Sequence, residues 1–401
     1  MMKEPPDANA FDRELHAEAR RILRFWQAHM VDREREGFYG RIDGEGRLHP
    51  EADKGVVLNT RILWTFAAAH RHFGDTAFRH LAVRACDYLR QHFADNKHGG
   101  VYWMLDCNGK VKESKKQIYA QAFTIYALAE YHRAVPEEAA REWAVELFHV
   151  IEKYSHDEAQ GGYLEAFSRD WELLEDLRLS DKDANEAKTM NTHLHVLEAY
   201  TNLYRIWPDK LLRQRLEELI QLFLDTILDF ESAHLRLFFD EGWQLRSQKI
   251  SFGHDIEAAW LLTEAAAVLE VPDLLTRVQQ AAVRIADATL EEGVDPDGGL
   301  LNEAGPDGLT DTNKDWWPQA EAMVGFYNAY RVSGERHFYE AAHRSWTFIK
   351  TNLIDRENGE WYWAVTRDGR PTLGEDKAGP WKAPYHNTRA CLEMLSRLSK
   401  S

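Results

Sequence analysis

The stretch "GGVYWMLDCNGKV", residues 99–111, runs from a glycine pair through aromatic residues into a turn, and reads as a short β-hairpin. The form recurs as "EGFYGRIDGEGRL" (36–48), "GGYLEAFSRDWEL" (161–173), "AHLRLFFDEGWQL" (233–245), "GGLLNEAGPDGLT" (298–310) and "NGEWYWAVTRDGR" (358–370). The anchors Gly37, Gly99, Gly161, Leu235, Gly298 and Gly359 are 62, 62, 74, 63 and 61 residues apart by subtraction of positions. A self-similar period of this size marks a repeat architecture.

Between the hairpins lie amphipathic stretches with the 3.6-residue period, such as "TAFRHLAVRACDYLRQHF" and "IYAQAFTIYALAEYHRA". Each interval holds two of them, so the chain reads as twelve helices in six hairpin-linked pairs. Such a set forms either an open solenoid or a closed double-layered barrel. Neither end carries a polar capping repeat, and the stretches are rich in tryptophan, 14 in all. Closure is therefore expected: an all-α (α/α)6 barrel, one domain over residues 1–401, with the short hairpins gathered at one end.

Composition narrows the partners. A formal charge of −17 repels phosphate backbones and anionic lipid surfaces, which argues against nucleic acid and membrane and is indifferent to a neutral small molecule. Cys86, Cys107 and Cys391 have neither CxxC nor metal-ligand spacing and read as reduced thiols. The start "MMKEPPDANAFDRELHAEARR" lacks the apolar run of a signal peptide, and no stretch of about 18 apolar residues occurs. A cytoplasmic monomer is expected.

One helix of each pair opens with polar or aromatic residues before turning apolar: "LNTRILWTFAAAH", "IYAQAFTIYALAEY", "MNTHLHVLEAYTNLY", "FGHDIEAAWLLTEAA", "WWPQAEAMVGFYNAY" and "YHNTRACLEMLSRL". If these are the inner helices, Arg61, Tyr119, Asn191, His195, His254, Glu257, Trp317, Glu321 and His386 line one cavity at their N-terminal end. His254 and Glu257, three apart, would share one helix face. Helix N-termini there add partial positive charge. Taken singly, a histidine near a helix start is more often structural, and a first-turn glutamate is ordinary capping. Six unusual openings at equivalent points of a repeat outweigh that reading. "HLH" at His193 and His195 suggests a metal pair, but residues two apart project about 200° apart, so no metal is expected.

Several histidines in one cavity suit proton transfer near neutrality. Neither "GxSxG" nor a phosphate loop is present. Glu257 and Glu321 could instead form the carboxylate pair of a glycosidase. The histidines favour abstraction of a proton beside a carbonyl, with Arg61 facing the enediolate. A second base on the opposite face would then invert the carbon. A non-enzymatic helical scaffold has no use for such groups at one barrel end.

"LNTRILWTFAAA", "HGGVYWM", "YAQAF", "MNTHLHVLEAY", "SFGHDIEAAWLL", "WWPQAEA" and "WKAPYHNTRACLE" together resemble, in order and spacing, the N-acylglucosamine 2-epimerase family and most closely its cellobiose 2-epimerase branch. The resemblance runs from about residue 14 to residue 398. It implies the (α/α)6 barrel and a metal-free, cofactor-free inversion at C2 of a reducing-end sugar, cellobiose to glucosyl-mannose and lactose to epilactose, through ring opening and a cis-enediolate. His386 and His254 match the two acid/base histidines, His195 a third that assists ring opening, and Glu257 a carboxylate tuning His254. Arg61 matches the arginine beside the enediolate, with Asn191 and Tyr119 as polar contacts. Trp317 and Trp381 match sugar-stacking platforms, Trp260 and Glu321 pocket wall, and Asp183 a contact to the non-reducing sugar. Mannose isomerases and N-acylglucosamine 2-epimerases share much of this histidine set and stand as alternatives within the family.

Overall fold

The computed structural model describes residues 8–399; residues 1–7 and 400–401, the ends of the span expected as one domain and part of the polar start, lie outside the described residues. Twelve α-helices are present among the described residues. Six form the inner ring: α2 (Val56–Phe73), α4 (Ile118–Ala134), α6 (Met190–Tyr204), α8 (Phe252–Leu269), α10 (Trp316–Ser333) and α12 (Tyr385–Leu398). The outer six are α1 (Ala8–His29), α3 (Thr76–Tyr88), α5 (Glu138–Tyr154), α7 (Lys210–Leu222), α9 (Pro272–Ala288) and α11 (Arg336–Phe348).

Burial sorts the layers as periodicity requires. α4 buries every residue from Ile118 to Tyr131, as a helix packed on all sides must. α5 buries only the stripe Ala140, Ala144, Leu147, Phe148 and Ile151. Each inner helix packs on the next, α12 returns to α2, and α1 covers α12, so the ring is closed. None of these helices is long and apolar enough to cross a membrane.

Every hairpin leads from an outer helix into the next inner one, which places all six at the inner helices' N-terminal end. Four outer helices widen into a π turn before the hairpin, at Leu89–Phe93, Phe223–Ile227, Thr289–Gly293 and Ile349–Leu353. The residues just before each inner helix pair antiparallel with the following hairpin: Lys54–Gly55 with Met104–Leu105, Lys116–Gln117 with Ala166–Phe167, Lys188–Thr189 with Phe238–Phe239, Ile250–Ser251 with Glu303–Ala304, and Lys314–Asp315 with Ala364–Val365. The Ala378 to Ile42 bridge closes this outer belt between the last unit and the first.

Buried lysines reinforce the belt. Lys54 meets Asp32 at 2.9 Å, Lys116 meets Asp95 at 3.1 Å, Lys188 meets Asp157 at 2.8 Å, Lys314 meets Asp295 at 2.9 Å and Lys377 meets Asp355 at 2.6 Å. In the first pair the other aspartate oxygen accepts from the backbone N–H groups of Glu34 and Arg35, closing the turn that starts the hairpin. The fourth unit departs from the rule: its buried ion pair joins His234 to Asp255 at 2.7 Å. Removing one member of a buried pair strands the other charge. Lys54→Met is therefore expected to cost about 3 kcal/mol, the low end for such losses because Asp32 keeps its backbone donors. A urea midpoint lowered at unchanged slope would register it, and an unchanged midpoint would assign the pair no share of the stability.

Candidate active site

The inner helices share one register, which sets what faces the barrel mouth. Five positions beyond the first helical residue stand Arg61, Phe123, His195, Glu257 and Glu321. Counted from its cap Pro384, α12 keeps the same register and contributes Arg389. Three positions beyond the start stand side chains that clamp the hairpin backbone. Gln121 accepts from the N–H of Val101 at 2.7 Å, His193 from that of Tyr163 at 2.8 Å, Asp255 from that of Leu235 at 2.8 Å and Gln319 from that of Leu300 at 2.7 Å. His193, the first histidine of "HLH", thus holds backbone.

A cavity of about 450 Å³ opens at this end. Arg61, Tyr119, Asp183, Asn191, His195, His254, Glu257, Trp317, Trp381 and His386 line it, joined by Trp316, the other tryptophan of "WWPQ", and by Trp363 and Glu375, which the sequence reading passed over. Trp260 and Glu321, expected as pocket wall, lie beneath it. Both are fully buried, and the Trp260 indole donates to Glu321 Oε2 at 3.0 Å. Trp260 is eight positions into its helix, a turn below the layer that meets the cavity.

Two long connectors flank the opening. The one after the third hairpin, residues 174–187, accounts for the 74-residue interval and brings Leu179 to Asp183 to the cavity. The one after the sixth, 372–384, brings Glu375 and Trp381. Third and sixth units face each other across a six-membered ring. An adjoining compartment of about 580 Å³ continues past Asp183 and Asn191 toward Glu165, Glu303 and Asp315. Asp183 Oδ2 accepts from the backbone N–H and hydroxyl of Ser180, at 2.9 and 2.8 Å, so this carboxylate also shapes its own connector.

His254 on α8 and His386 on α12 reach the cavity with α10 between them, and the Trp317 ring touches both, its centroid 4.7 Å from that of His254 and 5.7 Å from that of His386. His386 Nδ1 lies 2.7 Å from Glu321 Oε1, His195 Nδ1 lies 2.9 Å from Glu198 Oε2, and His254 Nδ1 pairs with the Ser251 hydroxyl at 2.7 Å. Glu257 is not the companion of His254. Its Oε1 accepts from Arg389 at 2.6 Å and stands 4.0 Å from His386 Nδ1. Sharing a helix face left the choice of partner to the helices packed opposite, and α12 supplied the stronger one.

Burial pushes the imidazoles of His254 and His386 down to about 3, with Glu321 opposing it at both and the Arg61 and Arg389 charges adding to it at His386. His195 is lowered by burial too, against the pull of Glu198. All three are neutral proton acceptors near pH 7. Burial and the Glu321 charge push the Glu257 carboxyl up against the attraction of Arg389. For Glu321 burial works upward, but Arg389 and the His386 bond prevail and hold it low.

Arg61 is fixed by two bonds, to the Trp381 carbonyl at 3.1 Å and the Tyr119 hydroxyl at 2.8 Å. Its guanidinium lies over the rings of Phe123 and Tyr385, at 4.5 and 5.2 Å. Glu257, Glu321 and His386 bring one ligand atom each within 4.8 Å, the only such metal-like cluster among the described residues, yet Arg389 already sets a cation against both carboxylates. The same placement weakens a glycosidase reading. Glu321 does not line the cavity, and a hydrolytic pair must flank the bond that is cut. What the cavity offers is neutral imidazoles on two sides, a rigid cation and indole faces.

The N-acylglucosamine 2-epimerase (GlcNAc 2-epimerase) family model matches residues 37–390. A cellobiose 2-epimerase of Bacteroides fragilis is 49% identical over 376 residues, 94% of this chain and 96% of its own length. Among solved structures, cellobiose 2-epimerase from Bacillus thermoamylovorans B4167 superposes with a TM-score of 0.93 at 42% identity, covering 97% of this chain and 100% of that one. Cellobiose 2-epimerase from Spirochaeta thermophila superposes with a TM-score of 0.91 at 40% identity, covering 98% of each chain. Both share the (α/α)6 barrel.

Proposed function

The chain belongs to the N-acylglucosamine 2-epimerase family, and from that premise we propose that it is a cellobiose 2-epimerase, inverting C2 of the reducing-end glucose of β-1,4-linked disaccharides. Cellobiose gives glucosyl-mannose and lactose gives epilactose. The observation that carries this reading is the pair of neutral histidines, His254 and His386, on inner helices either side of Trp317. Ring opening, assisted by His195, exposes the C1 aldehyde. One imidazole removes the C2 proton and passes it to solvent, and Arg61 faces the oxygens of the resulting cis-enediolate. Rotation about C2–C3 presents the other face of C2 to the second imidazole, which takes up a solvent proton and delivers it to C2, so that both rings end neutral. Tyr119 and Asn191 contact the open chain, Trp317 and Trp381 stack on the two rings, and Asp183 reaches the non-reducing sugar. No group is consumed, so the reaction is reversible.

The test is to incubate the protein with cellobiose in D2O and follow the products by NMR. Glucosyl-mannose with deuterium at C2 is expected; free glucose would mean hydrolysis, and an untouched disaccharide would remove this substrate class.

The lowered imidazoles fix a pH profile. The base form of a histidine is its neutral form, and it persists until pH falls through the group's own value. Because burial lowers His254 and His386, the acid limb of kcat/KM for cellobiose is expected well below the ordinary histidine value of about 6.5. A limb centred at 6.5 or above would show that neither buried imidazole is the base.

A further inference from the structure

Arg389 has no exposed atom of consequence and does not line the cavity, yet it ties four inner helices together. Its Nη1 binds Glu198 on α6 and the Tyr385 hydroxyl on α12, while its Nη2 binds Glu257 on α8 at 2.6 Å and Glu321 on α10 at 2.7 Å. The Tyr385 hydroxyl in turn donates to Glu198 Oε1 at 2.5 Å. The guanidinium is sandwiched by aromatic rings, its carbon 4.3 Å from the Tyr385 centroid and 4.8 Å from that of Trp260.

Two of those carboxylates are the ones that hold cavity histidines. Glu198 keeps its other oxygen for His195, and Glu321 shares Oε1 between His386 and Arg389 while Oε2 accepts from Trp260. An ionised carboxylate only accepts hydrogen bonds, so Nδ1 of each ring carries the proton and Nε2 keeps its lone pair. Without a cation at their centre, Glu198 and Glu321, buried in one cluster with Glu257, could not both stay ionised, and protonation would end the acceptor role that sets both tautomers.

We propose that Arg389 is a positioning residue of the reaction: by binding Glu198, Glu257 and Glu321 at once, its guanidinium keeps ionised the carboxylates that orient His195 and His386 and leaves both Nε2 atoms free as proton acceptors. This rests on the epimerase reading of the same cavity. It also makes the two histidines interdependent, since a change at either carboxylate alters what the one guanidinium gives the other.

The test compares wild type with Arg389→Met and Arg389→Lys over a pH series with cellobiose. Loss of partners that orient an active group costs about 10–100-fold. Arg389→Met is expected to lower kcat in that range with KM within about twofold, because the side chain does not touch the cavity. Its acid limb moves to higher pH, because carboxylates without the guanidinium take up a proton sooner and each protonation ends the bond that holds a histidine in its active tautomer. Arg389→Lys keeps the charge and recovers part of kcat and the limb position. Arg389→Lys carries the test if Arg389→Met does not fold: a single ammonium cannot hold three carboxylates at once, so its kcat and limb lie between wild type and full loss. Wild-type-like limbs in the folded Arg389 variants, or equal loss in kcat and kcat/KM without any limb movement, would overturn the proposal. Wild type inert toward cellobiose would instead overturn the epimerase reading on which it stands.

Discussion

Alanine at either His254 or His386 is expected to lower kcat for cellobiose by about 10²–10⁴-fold, the range for loss of a positioned acid/base group. The fold should survive. Removing His386 leaves Glu321 bound to Arg389 and Trp260, and removing His254 costs one bond to Ser251. The two variants are distinguished by exchange. With one base gone, the remaining imidazole can take the C2 proton from only one epimer and must return a proton to the face it came from. One variant should therefore wash deuterium into C2 of cellobiose without making glucosyl-mannose, and the other should do the same to glucosyl-mannose without making cellobiose. Loss of exchange from both sugars in both variants would mean that the transfers are not divided between these histidines. Turnover within about tenfold of wild type in either would remove that residue from the chemistry.

The barrel was legible because its signal is redundant: six hairpins at a near-constant interval announce six units even where one, at Leu235, lacks the glycine. The ring of buried Lys–Asp pairs was not, since a lysine between a hairpin and a helix reads as surface until the neighbouring unit is seen to cover it. Helix openings pointed to the mouth of the barrel because polar residues at the start of an apolar helix need a reason. Depth is harder to read. Trp260 and Glu321 were placed at the wall although they lie below it, since one turn of helix separates lining from support. The largest omission, Arg389, comes from register. Counting the sixth helix from Tyr385 puts Ala390 at the level of Arg61, His195, Glu257 and Glu321, and counting from Pro384 puts Arg389 there. The signal was present as an arginine one turn into an inner helix, "YHNTRACLEML", but its meaning lay in three carboxylates 68 to 191 residues away.

Arg61→Met is expected to cost about 10²–10³-fold in kcat, the loss typical when one preorganised donor to an oxyanion is removed. The reason lies in how little Arg61 can move. Its two terminal nitrogens are committed to Trp381 O and Tyr119 Oη, and two aromatic rings hold its plane. A charge held in place before the reaction needs no reorganisation when the enediolate forms, and in a buried site it acts through a low dielectric. Arg61→Lys should recover little, because a point charge on a flexible stem cannot hold both partners and face the cavity as well. Arg61 also supports Trp381, so a loss of activity could come through the outer sugar alone, and the kinetics separate the two causes. An effect on the enediolate falls on the transition state common to both directions. It lowers the rates from cellobiose and from glucosyl-mannose equally and leaves their final ratio unchanged. An effect through Trp381 falls on binding, raising KM for the disaccharide while leaving turnover at saturation, and any turnover of free glucose, near wild type. Equal loss in kcat from both epimers would place Arg61 at the reacting oxygens. A rise confined to the disaccharide KM would make it a support for Trp381 and leave the enediolate charge to be met by another group.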